Sequence, residues 1–212
     1  MRYLPIAVDL QGRVCVVVGG GEVAARKVET LLESGALVTV IAPHICQEIE
    51  VLEGREPRLR VERRPYRSGD LSGSILAFAA TDAPLVHREM AVEAVERGVW
   101  VNAADDPENC SFLMPAVIER GPVAIAVGTG GASPALARRV RDEIAALIGV
   151  EYGEAASYLG ELRRRFRAGP ARQRAFMRLL DEGLVEAFRA GDRERVERLT
   201  ERACGGLEPE TA

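Results

Sequence analysis

The sequence predicts an α/β fold: a parallel, doubly wound sheet, then a small β-hairpin and helix, then an α-helical C-terminal domain. Three observations carry that expectation. A β-branched run, Val14 to Val18, breaks at Gly19-Gly20-Gly21 and resumes as a stretch of good helix formers. Short apolar runs then alternate with helical stretches as far as Asn102, the rhythm of parallel strands joined by right-handed crossovers. Beyond Pro107 that rhythm stops, and from Glu151 to about Cys204 the apolar residues recur at helical spacing alone.

Taken in order, Leu4-Pro5-Ile6 and Val8 lead in, and Leu10 to Arg13 turns the chain into the first strand. Read as G-x-G-x-x-A, Gly19 permits a tight turn, Gly21 lets a pyrophosphate approach the backbone, and Ala24 lets the helix lie close on the strand. The N-terminal N–H groups and positive dipole end of that helix then face phosphates, which makes the sheet Rossmann-type. The helix runs from Glu22 to Glu33 and closes at Ser34-Gly35. Leu37 to Ala42 is a second strand, Ile45 to Leu52 a short helix, and Arg58 to Arg64 a more exposed strand. Ser74 to Ala80 is a buried strand, Pro84 to Arg97 a helix ended by Gly98, and Val99 to Asn102 a fifth strand. Phe112 to Ile118 and Pro122 to Val127 read as a hairpin turning at Glu119-Arg120-Gly121. A helix follows from Ser133 as N-cap and Pro134 as first helical residue to about Ile148. Helical breaks fall at Gly169-Pro170 and Gly191-Asp192, and Gly205 to Ala212 reads as frayed. The division expected is 1–111 for the dinucleotide-binding domain, 112–150 for a dimerisation region, and 151–212 for the helical domain. Apolar surface on the hairpin and its helix points to a homodimer.

Composition narrows the function. A net charge of −4 argues against nucleic acid as the main partner. No apolar run approaches a membrane span, and the N-terminus lacks a signal-peptide core, so a cytoplasmic protein without a membrane partner is expected. The four cysteines are scattered, which suits free thiols better than a disulfide frame or a zinc site. The single lysine, Lys27, leaves no Tyr-x-x-x-Lys pair for a short-chain dehydrogenase.

The strand ends carry the chemistry. In an open parallel sheet a dinucleotide lies across the carboxyl ends of the strands, here Gly19 to Gly21, Pro43-His44, Thr81-Asp82 and Asn102 to Asp106. The acid that usually holds the ribose hydroxyls is replaced by Ala42-Pro43-His44, with no arginine beside it, so the residues leave NAD against NADP open. Asp105 stands where an acid can act as general base, with Asp106 the weaker candidate; adjacent acids opening a loop are the plain alternative. His44 is the better functional candidate of the two histidines, and His87 reads as structural or solvated. Gly128 to Ser133 forms a second strand–glycine–helix junction that can hold an anion, with the Thr129 hydroxyl to help; a turn that needs only positive φ angles explains it equally well.

Several ordered stretches together resemble one family. VVVGGGEVAARK, VTVIAP, AFAATD and VNAADDPENCSFLMPAVIERGPVAIAVGTGGASPALARRVRDEI are similar to the N-terminal module of siroheme synthases. These are precorrin-2 dehydrogenases, many of them also sirohydrochlorin ferrochelatases. The resemblance covers Leu4 to Ile148 closely and the helical tail in pattern. It implies NAD-dependent oxidation of the tetrapyrrole precorrin-2 to sirohydrochlorin, followed in many members by insertion of Fe²⁺ as a substrate, in a homodimer with the hairpin at its interface. By that resemblance Asp105 is the catalytic base, and Glu22, Val23, Pro43 and His44 bind NAD; with Gly19 and Gly21 of the glycine turn and Thr81 and Asn102 at the strand ends they would frame the cofactor. Thr129, Gly130, Gly131 and Ser133 would meet substrate carboxylates. No dedicated metal ligands are implied, and the methyltransferase domain that some siroheme synthases carry is not in this sequence. A dehydrogenase-only member and a non-catalytic NAD(H) sensor are the alternatives.

Overall fold

The structure, a computed structural model, describes residues 3–104 and 106–210. It divides into two compact units, one reaching Met114 and the other starting at Pro115.

The first unit is built on five parallel strands: β1 (Val14–Val18), β2 (Leu37–Ile41), β3 (Leu59–Glu62), β4 (Leu76–Ala79) and β5 (Trp100–Ala103). Their order is β3-β2-β1-β4-β5, so the chain winds outward from β1 and reverses direction at the β1/β4 boundary. That reversal is where open α/β sheets bind their ligands. Strand side chains alternate between faces, and the core divides accordingly. Cys15, Val17, Val38, Val40 and Phe78 pack against helix α1 (Glu22–Glu33) and helix α2 (Gln47–Glu53), while Val16, Val18, Ala77, Ala79 and Val101 pack toward helix α3 (Pro84–Arg97). On α1 the buried positions Ala24, Ala25, Val28, Leu31 and Leu32 make one stripe, with alanines where the helix crosses the strands most closely. Each fully buried Val or Leu contributes about 1.5–3 kcal/mol, so the paired faces are the main stabilising term.

The second unit begins with the antiparallel strands β6 (Ala116–Arg120) and β7 (Val123–Val127). The hairpin is shorter than the sequence suggests, and its turn lies at Gly121-Pro122. Glu119 and Arg120 sit in the ladder opposite Ala124 and Val123, and Gly121 takes φ 56° at the turn. Phe112, expected in the hairpin, instead meets Phe78 edge-on at 5.4 Å in the first unit. After the hairpin come α4 (Pro134–Ala145), α5 (Glu151–Arg165), α6 (Pro170–Asp181), α7 (Leu184–Arg189) and α8 (Arg193–Cys204). Leu162, Leu179, Leu184 and Leu199 fill the centre of the last four helices. Gly183, at φ 93°, breaks the helix between α6 and α7, a stop the apolar periodicity conceals. The tail expected to fray is pinned as far as Glu210: the Arg167 N–H donates to the Glu208 carbonyl at 3.0 Å, and the Glu210 N–H to that of Arg165 at 2.9 Å. Among the described residues no helix is long and apolar enough to cross a membrane.

Candidate dinucleotide site

The three glycines after β1 do different jobs. Gly19 is buried, with φ 131°, and a Cβ there would lie 2.0 Å from the Ala80 carbonyl oxygen at the end of β4. At Gly20 a Cβ would lie 1.9 Å from the His44 carbonyl oxygen. Gly21, the residue before α1, meets nothing within 4 Å of that position. So the first two glycines let three backbone segments converge, and the third leaves open space in front of the helix.

Hydrogen bonds hold this convergence in place. The Gly19 N–H donates to the Ile41 carbonyl at 3.0 Å, the Cys46 N–H to the Gly20 carbonyl at 2.7 Å, and the Ala80 N–H to the Val18 carbonyl at 2.7 Å. The first intrahelical bond of α1 runs from the Ala25 N–H to the Gly21 carbonyl at 3.0 Å. By helix geometry the N–H groups of Glu22, Val23 and Ala24 have no partner within α1, and no side chain caps them. N–H groups without a partner in the helix, a positive dipole end and an open approach at Gly21 are features that can hold a phosphate.

The remaining predicted residues surround this turn in different ways. Pro43 and His44 are exposed beyond β2, with the His44 backbone closing on Gly20. Glu22 and Val23 are exposed in the first turn of α1. Thr81 is half-buried after β4. Asn102 is turned to the fold, its amide donating to the Phe112 carbonyl at 3.0 Å. Asp105 lies outside the described residues. Its neighbours are well anchored: the Ala104 N–H donates to the Ala79 carbonyl at 2.9 Å, and the Asp106 carboxylate accepts from the Asn109 amide at 2.7 Å. That amide, with His87 adding to it, holds the Asp106 carboxyl below its ordinary value against the effect of burial. Burial pushes the Cys110 thiol up, and its sulfur accepts from the Ala103 N–H at 3.1 Å.

In the second unit the Gly128 to Ser133 junction is closed by its own hydroxyls. Thr129 Oγ1 accepts from the Ser133 N–H and donates to the Ser133 carbonyl, both at 3.0 Å. Ser133 Oγ accepts from the Leu136 N–H at 3.2 Å, capping α4. Gly130 and Gly131 take φ 64° and 89°, so the turn does require glycine.

Sequence reasoning misses three contributors: Gly20, Cys110 and Asn109. Gly20 escapes the fingerprint, which emphasises its neighbours. His87, read from the sequence as structural or solvated, is buried on the α3 stripe it shares with Met90 and Ala94. Cys110 and Asn109 brace the β5 loop through contacts that no spacing announces.

Residues 6–116 match the family described as "Putative NAD(P)-binding". The chain belongs to this family. The match spans the whole sheet described above, including the glycine turn, and this NAD(P)-binding family member also matches "Sirohaem biosynthesis protein central" over residues 120–147. It is 42% identical over 198 residues to a siroheme synthase of Nitrosospira multiformis, a match covering 90% of this chain and 42% of that one. With a siroheme synthase of Azotobacter vinelandii the identity is 40% over 219 residues, covering 99% and 46%. The chain therefore spans less than half the length of these curated relatives. Among solved structures it is similar to SirC, a precorrin-2 dehydrogenase, with a TM-score of 0.79 and 25% identity over 95% of this chain and 98% of that one.

Proposed function

We propose that this chain oxidises precorrin-2 to sirohydrochlorin with NAD⁺ and then accepts ferrous iron as a second substrate. The observation that carries the first step is the open phosphate seat at Gly21, in a chain that resembles SirC along nearly its whole length.

The residues present fit a dinucleotide. The α1 N-terminus would take the pyrophosphate, and the Pro43-His44 backbone the adenosine side. No acid is present at the end of β2, so backbone groups would have to recognise the ribose. We favour NAD over NADP because the arginines after the neighbouring strand are already paired, Arg63 with Glu53 and Arg64 with Glu62 and Asp70. When bound, NAD⁺ supplies a two-electron acceptor for hydride.

The oxidation removes a hydride and a proton, and we assign the proton to the Asp105 carboxylate, two residues beyond the last residue of β5 in the sequence. Metal insertion requires two pyrrole N–H protons to leave, and the same carboxylate is suited to receive them in turn. For the substrate's carboxylates we favour the Gly130-Gly131 backbone and the N-terminus of α4, with Thr129 and Ser133 shaping that turn. We further propose a cytoplasmic homodimer formed through β6 and β7, which leave Val117 exposed, while Leu136 and Leu147 stay open on and after α4. Val117→Glu is expected to give monomers by light scattering, and an unchanged mass would refute the hairpin interface.

Purified protein given precorrin-2 and NAD⁺ should produce NADH and the sirohydrochlorin spectrum in equal amounts. Tight NAD⁺ binding without turnover would instead support an NAD(H) sensor. Adding Fe²⁺ to sirohydrochlorin then separates a bifunctional enzyme from a dehydrogenase alone.

A further inference from the structure

His87 sits at the first turn of α3 with only 6% of its surface exposed, and the reaction proposed above assigns it no part. Both its ring nitrogens face acceptors. Nε2 lies 2.7 Å from the Thr81 carbonyl oxygen, and since a carbonyl only accepts, Nε2 carries a proton. Nδ1 lies 3.4 Å from the Asp106 carboxylate, which accepts at 2.7 Å from the Asn109 amide as well. The ring thus joins two segments that the sheet leaves side by side: the loop after β4, whose Ala80 carbonyl closes on Gly19, and the loop after β5.

A helix residue that merely fills the core has no need of two acceptors. Leucine or methionine would fill the same space without a buried polar group to satisfy. We infer that His87 is a positioning residue: it ties Asp106, in the loop after β5, to the Thr81 backbone after β4, and so restrains that loop relative to the glycine turn. The inference rests on the dehydrogenase reading for its consequence in turnover, but the restraint itself is a property of the fold. The loop has a second, independent brace in the Cys110 sulfur, which lies 3.3 Å from the carbonyl oxygens of both Ala103 and Asp106. Loss of His87 should therefore loosen the loop without unfolding the unit. A misplacement of about 1 Å beside reacting atoms costs up to roughly 10²-fold in rate, so a loosened loop is expected to act on turnover more than on binding.

The test compares wild type with His87→Gln, which keeps a donor toward Thr81 and loses the bridge, His87→Ala, Asp106→Ala and the double variant His87→Ala/Asp106→Ala. Amide hydrogen exchange is followed by peptide, and kcat and the KM for NAD⁺ are measured on the same samples. The expected result is faster exchange confined to residues 103–110, together with kcat lowered about tenfold or more at a KM for NAD⁺ changed less than about twofold. The loss in the double variant should be smaller than the sum of the two single losses, because both substitutions remove the same His87–Asp106 contact. Unchanged exchange in residues 103–110, or faster exchange spread evenly over β1, β2 and α1, overturns the inference. If wild type binds NAD⁺ but does not turn over, the dehydrogenase reading fails, and the exchange pattern still decides whether His87 restrains the loop.

Discussion

Replacing Gly20 and Gly21 one at a time by alanine separates the fold of the glycine turn from its ligand. At Gly20 the new methyl group would lie 1.9 Å from the His44 carbonyl oxygen and 2.9 Å from its carbon, both backbone atoms. Relief requires the β2–α2 link to move by more than 1 Å, against the hydrogen bond from the Cys46 N–H to the Gly20 carbonyl at 2.7 Å. Overpacking against well-held atoms costs about 1–3 kcal/mol, and the rigid backbone here favours the upper end. For a chain of this size each kcal/mol lowers Tm by roughly 2–4 °C, so Gly20→Ala should melt about 5–10 °C below wild type. At Gly21 the methyl group meets nothing within 4 Å, and the φ of −86° suits alanine. The cost there is only the poorer N-cap, about 0.5–1 kcal/mol, or a few degrees at most. Yet that methyl would occupy the space a pyrophosphate needs. Thermal melts with and without NAD⁺, and calorimetric titration of NAD⁺, read both effects. Gly21→Ala should keep its fold and lose at least about tenfold in affinity, equivalent to roughly 1.4 kcal/mol. Wild-type NAD⁺ affinity in Gly21→Ala would refute the phosphate seat, and wild-type melting in Gly20→Ala would refute the rigid convergence.

Other expectations follow from the same packing. Glu93 is 3% exposed on α3 and accepts from the Tyr66 hydroxyl, the Gly69 and Leu71 N–H groups and Arg97. Glu93→Ala leaves those donors unmatched and should cost about 3–5 kcal/mol by denaturant titration; a cost under about 1 kcal/mol would contradict the buried network. Burial pushes the Glu93 carboxyl up, but the bonds from Tyr66, the two amides and Arg97 outweigh it and hold the pKa below its ordinary value. Its stabilisation is therefore complete above the unfolded pKa of about 4.3 and is lost as pH falls through the lower folded value, so the Glu93→Ala penalty should shrink in acid. Competition binding should show NAD⁺ preferred over NADP⁺; tighter NADP⁺ binding would mean that Arg63 or Arg64 leaves its carboxylate for the 2′-phosphate.

Where backbone propensity and apolar period decide the structure, the sequence is a good guide. β1, α1 and α3 fall where the β-branched run, the small-residue stripe and the Pro84/Gly98 punctuation place them. The hairpin is displaced because Phe112 has a better partner in Phe78, a tertiary preference invisible to local pattern. Gly183 breaks the helix within a stretch whose leucines keep their period on both sides, so periodicity alone reads through it. The order β3-β2-β1-β4-β5 is a matter of pairing, which the sequence narrows only through the handedness of crossovers. At the candidate site the glycine turn was legible because glycine answers a backbone demand. The His87–Asp106 bridge was not, because a histidine on an apolar stripe looks the same whether it fills space or spans two loops.

In the reaction proposed here Asp105 supplies the base for oxidising the tetrapyrrole while the glycine turn holds NAD⁺. Asp105→Asn removes the proton acceptor with almost no change in size, so single-turnover NADH formation from precorrin-2 tests the claim most directly. The expected result is a rate lowered about 10²-fold or more with NAD⁺ affinity unchanged. A variant that oxidises precorrin-2 at the wild-type rate would contradict it.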